Sequence, residues 1–75
     1  MSALRWTPAR MSELERAVER RCRVVLSRRG SEYVVIAHRL KTFGREEVLV
    51  GRVPITGELM EFELSTLESF HVLDA

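Results

Sequence analysis

The stretch Glu58-Leu59-Met60-Glu61-Phe62-Glu63-Leu64 decides the fold class of this 75-residue chain. Met60, Phe62 and Leu64 alternate with Glu61 and Glu63, which is the period of two expected when successive side chains leave opposite faces of a strand. One face is thereby assigned to a core and the other to water. Upstream, Pro54-Ile55-Thr56-Gly57 is a turn signal, its proline ending a strand at Glu47 to Val53 and its glycine opening the next. Downstream, Ser65-Thr66-Leu67-Glu68 reads as one tight turn before a short final strand at Phe70 to Leu73.

The same period continues toward the N-terminus. Arg23 to Arg28 reads as a strand with Val24 and Leu26 on one face and Val25 on the other. Arg29-Gly30-Ser31 supplies a turn, and Glu32 to His38 the return strand of a hairpin. Val34, Val35 and Ile36 are consecutive apolar residues, which predicts cover on both faces. Arg39 to Glu46, with Gly44 and mixed charges, reads as a longer loop.

Before Arg23 the period changes. Leu14, Ala17, Val18 and Cys22 form one helical stripe, and Ser12 with Glu15 fits a capping box, so a helix is expected to begin at Ser12. Thr7-Pro8 is the competing start, with Thr7 as cap and Pro8 in the first helical position. Residues 1–11 then form a flexible N-terminal arm, and residues 12–75 one domain of a helix plus a small β-barrel. The expected fold is mainly β: five short antiparallel strands curled into an SH3-like or Sm-like barrel behind an N-terminal α-helix.

Length allows one core, and a core of this size supplies only about 3–5 kcal/mol of net stability, so a homodimer or small homo-oligomer is the default expectation. The lone Cys22 cannot close an internal disulfide, which points to a reducing compartment. No stretch approaches the roughly 20 apolar residues of a membrane span, and the opening residues hold no apolar run of signal-peptide length. A cytoplasmic protein with no membrane partner is therefore expected.

Catalysis needs a nucleophile beside an oriented base, and the inventory for that is thin. His38 and His71 are the only histidines and Asp74 the only aspartate, while Cys22 on the apolar stripe reads as a small buried hydrophobe. Glu61 and Glu63 read as a solvated strand face. No metal-ligand spacing and no Gly-rich phosphate loop is present, so the expectation is a non-enzyme without cofactor or metal.

Charge is distributed unevenly. Residues 1–29 hold eight arginines against three glutamates, a net of +5, and residues 30–75 hold four basic against eight acidic residues, a net of −4. Arg20, Arg21, Arg23, Arg28 and Arg29, joined by His38 and Arg39, are the candidate contact residues for nucleic acid or an anionic ligand, because guanidinium groups match phosphate geometry. Only Trp6, Tyr33 and Phe43 are available as stacking platforms, and a protein partner is the other expectation.

The order of elements resembles the WYL domain, an Sm-like barrel of bacterial transcription regulators. The likeness rests on Leu14-Glu15-Arg16-Ala17-Val18 leading into Arg23-Val24-Val25-Leu26, on Glu47-Val48-Leu49-Val50-Gly51-Arg52, and on Thr56 to Leu64 running into Leu67-Glu68-Ser69-Phe70. The Trp-Tyr-Leu signature falls on Glu47-Val48-Leu49, so its leucine alone is retained. Positions at which that family carries arginines hold Met60, Glu63 and Thr66 here. The resemblance implies a regulatory barrel that senses a ligand or touches nucleic acid. A weaker likeness, to the Sm-like Rho inhibitor Rof in Glu61 to Phe70, implies a protein partner.

Overall fold

A computed structural model describes residues 4–73, which places Asp74 outside the described chain. Its helix, α1, spans Pro8–Arg20. The Thr7 hydroxyl accepts from the Arg10 N–H at 3.2 Å, and Pro8, which has no N–H to leave orphaned, occupies the first turn. The Thr7-Pro8 start therefore prevails over the Ser12 box, and Ser12 lies one turn inside the helix.

The expected arm over residues 1–11 is corrected with it from residue 4 onward, residues 1–3 lying outside the described chain. Pro8 to Met11 are helical, the Leu4 N–H donates to the Leu67 carbonyl at 2.8 Å, and Trp6 stacks on Phe70 with ring centroids 5.3 Å apart. The indole N–H of Trp6 reaches the Leu64 carbonyl at 2.9 Å. A large apolar ring with its polar group satisfied is a strong reason to dock, and the extra helical turn follows from that anchor.

At its other end α1 closes with Arg21 in the left-handed region at φ 55°. The Arg21 N–H donates to the Val18 carbonyl and the Cys22 N–H to the Ala17 carbonyl, at 3.2 and 2.9 Å. That bond pair is a Schellman cap, and glycine is the usual residue at this position.

The strands are β1 (Arg23–Arg28), β2 (Ser31–Phe43), β3 (Glu46–Arg52), β4 (Leu59–Glu63) and β5 (Ser69–Val72), with a 3₁₀ turn at Leu64–Thr66 between the last two. They form a single antiparallel sheet in the order β4-β3-β2-β1-β5. The first hairpin closes through Arg29 at φ 54° and Gly30 at φ 79°, the paired positive φ of a type I′ turn.

The segment Arg39 to Glu46 is a correction. It belongs to a second hairpin that turns at Gly44-Arg45, with Arg39 opposite Val50 and Phe43 opposite Glu46. The register shifts between Ala37 and Arg39, leaving His38 as the extra residue of a β-bulge. The bulge swaps which residues face in: Ala37 is buried before it, and Leu40 packs on the core after it. A period-two reading of one unbroken strand would place Arg39 in the core, which is why the sequence reads there as a loop.

A straight 13-residue strand would reach about 43 Å. The molecule measures only 29 × 25 × 24 Å, so β2 bends sharply and the sheet curls. The curl is seen directly where Arg28 Nη1 of β1 donates to the Glu61 carbonyl of β4 at 3.4 Å, across two intervening strands of the sheet order. This shape is compatible with an SH3-like or Sm-like barrel.

Within the curl lie Phe62, Leu14, Leu26, Leu49, Leu67, Val24 and Val35, all fully buried, and Cys22 packs beside them. The alternation at 60–64 holds: Phe62 and Leu64 are buried and Glu61 and Glu63 exposed. The run at 34–36 does not have cover on both faces, because Val35 is buried while Val34 is 47% exposed on the outer face. Gly51 permits the close approach of β3 to β2, since a Cβ there would meet Val35 Cγ2 at 2.5 Å. No described helix is long and apolar enough to cross a membrane.

Candidate functional site

The seven candidate contact residues do not form one patch. Arg20 and Arg21 end α1, Arg23 begins β1, and His38 and Arg39 sit at and after the bulge of β2. Arg28 and Arg29 lie at the far end of β1, five and six residues from Arg23, which is about 17–20 Å along a strand. Two sites therefore replace one.

The first gathers at the junction of helix end, strand start and bulge. Arg21 donates from Nη1 to His38 Nδ1. Because a guanidinium has donors only, this bond uses the histidine as acceptor at Nδ1. Arg23 and Arg52 stand opposite Ile36 from either side on the outer face, and Arg39 stands opposite Val50 on that same face. Arg20, Arg21, Arg23, Arg39 and Arg52 are all exposed; Arg23 and Arg52 flank the half-buried Ile36, Arg39 follows on the same face of β2, and Arg21 joins them through His38. Arg52 is the member that sequence reasoning missed. Its signal lay in the register of β3 against β2, which linear spacing does not carry.

The second site lies between the first hairpin, the tip of the second and β4. A pocket of about 420 Å³ is lined by Arg28, Arg29, Lys41, Phe43, Glu61 and Glu63. Arg28 is committed to structure: its guanidinium carbon sits 4.8 Å from the Phe62 ring centre and 5.2 Å from that of Tyr33. Tyr33 and Phe62 themselves meet edge to face at 5.4 Å. Lys41 Nζ and Glu61 Oε2 form an ion pair at 2.5 Å. Phe43 is 75% exposed.

The remaining chemistry-bearing residues are dispersed. Cys22 is buried, and His71 is exposed on β5. Among the described residues no three His, Cys, Asp or Glu side chains come together as metal ligands would need. Comparison with known proteins finds no family model, no curated protein and no solved structure that matches this chain. Class is therefore defined by the fold alone: a five-stranded, curled antiparallel sheet with an N-terminal helix.

Proposed function

We propose that this chain is a non-enzymatic binding module, a regulatory SH3-like or Sm-like barrel that takes nucleic acid or another polyanion on the surface formed by Arg20, Arg21, Arg23, His38, Arg39 and Arg52. The observation that carries it is the grouping of Arg23 of β1, Arg39 of β2 and Arg52 of β3 on the face of Ile36, with Arg21 at the helix end joined to the β2 bulge through His38. Several arginines on one face suit backbone phosphates, and an apolar centre offers a base or sugar something to lie against.

Fluorescence anisotropy of a short single-stranded RNA, repeated across a salt series, tests the proposal. Four phosphate contacts would give a log–log salt slope of about −3. Arg21→Glu with Arg39→Glu should weaken binding more than tenfold and flatten that slope, with the fold intact by circular dichroism. Binding that ignores both reversals would remove the polyanion reading.

A second reading, a protein-interaction or self-assembly module, draws on Val34, Leu59 and Leu73, which are 47, 54 and 57% exposed. Light scattering after size exclusion separates the two readings. A stable oligomer indifferent to RNA favours self-assembly, and a monomer that binds RNA favours the polyanion surface.

A further inference from the structure

We propose that the pocket at the hairpin end of the molecule binds an amino-acid-sized zwitterion, a free amino acid or a peptide terminus that presents a cationic group and a carboxylate together. This pocket is a different site from the polyanion surface, and its ligand is independent of the one bound there.

Its basis is the balance of charges around the 420 Å³ space, a volume in the range of small-ligand pockets. Three cationic and two anionic side chains line it, but most are already occupied. Lys41 and Glu61 neutralise each other, and Arg28 is seated on the Tyr33 and Phe62 rings with its Nη1 on a backbone carbonyl. Two charged groups remain. Neither the Arg29 guanidinium nor the Glu63 carboxylate has a hydrogen-bond or ion-pair partner among the described residues. They have opposite signs and share one cavity.

The ligand class follows from what each excludes. A phosphate chain drawn to Arg29 would meet the unpaired Glu63 carboxylate, and a simple cation drawn to Glu63 would meet the Arg28 and Arg29 guanidinium groups. A molecule with both signs satisfies both free groups. The pocket also holds an apolar surface suited to its cationic half: Phe43 exposes a face for a cation–π contact, and Val48, 5% exposed, lies in the pocket wall. A guanidinium is the best fit, since it pairs with a carboxylate and stacks on an aromatic ring at once.

The hairpin geometry makes a clean test. Arg29 sits at φ 54° in a type I′ turn, where asparagine is favoured, so Arg29→Asn removes the charge without disturbing the turn. Glu63→Gln on exposed β4 does the same for the acid. Two-dimensional ¹H–¹⁵N spectra would be titrated with L-arginine, with agmatine, which lacks the carboxylate, with succinate, which lacks the cation, and with the peptide Gly-Gly-Arg.

Saturable shifts at residues 28, 29, 43, 48, 63 and 66 are expected with L-arginine or with the peptide, and the tighter of the two identifies the source. Agmatine and succinate should bind about tenfold or more weakly, and each of the two variants should lose a similar factor while melting no lower than the parent. Equal affinity of L-arginine for parent and variants, equal binding of agmatine, or no saturable shift with either zwitterion would each overturn the proposal.

Discussion

β1 is bracketed by two arginines in the same rare backbone conformation, Arg21 at φ 55° and Arg29 at φ 54°, and their surroundings are opposite. Arg21 closes a helix and holds His38, with Arg20, Arg23 and Arg39 nearby in chain and register. Arg29 caps a hairpin over a pocket that contains two carboxylates. Left-handed φ costs an L-residue roughly 1 kcal/mol, and glycine or asparagine would avoid it at both places. Both positions therefore carry the same local backbone strain. Their unlike neighbours underlie the two proposals, a polyanion at one end and a zwitterion at the other.

The largest effect should come from the core beneath the hairpin end. Phe62 is fully buried, meets Tyr33 edge to face and carries Arg28 on its ring. Phe62→Ala should cost about 3–5 kcal/mol, read from urea unfolding. A cost under about 1 kcal/mol would mean that the core does not close as described. Gly51→Ala should follow at about 1–3 kcal/mol, because its new methyl group would overlap Val35.

Smaller changes separate the two ends. Arg28→Ala, which loses both ring contacts and the bond to Glu61, should destabilise by about 1 kcal/mol and weaken the zwitterion pocket while sparing RNA binding. Arg21→Gly should act in the opposite sense on stability, raising it by about 0.5–1 kcal/mol through relief of the left-handed strain, and should weaken RNA binding. A parallel loss of both functions in either variant would merge the two sites into one.

Much of this was readable in the sequence because the signals were local. The alternation of Met60, Phe62 and Leu64 against Glu61 and Glu63 gives β4, and Arg29-Gly30 gives the first turn. Signals that depend on contact were not readable. Thr7-Pro8 did signal the earlier helix start, but the docking of Trp6 on Phe70 is made between residues 64 apart, so nothing local announces that Leu4 to Trp6 is ordered. The bulge at His38 reverses the inside and outside of β2, and the charged residues beyond it imitate a loop.

The candidate site divided for the same reason. Arg20 to Arg29 is one basic run in the sequence, but a strand separates its members by its own length, while Arg52, remote in sequence, joins the first group through the register of β3. Glu61 and Glu63 alternate as a solvated face should, and only the curl of the sheet brings them to the arginines of the first hairpin.

The most direct test of two separate sites is an amide-resolved titration with a short single-stranded RNA at low salt. Shifts should concentrate at residues 20–23, 36–39 and 52, with residues 28, 29, 61 and 63 unmoved. Shifts centred on the first hairpin and β4, or no binding at all, would contradict that separation.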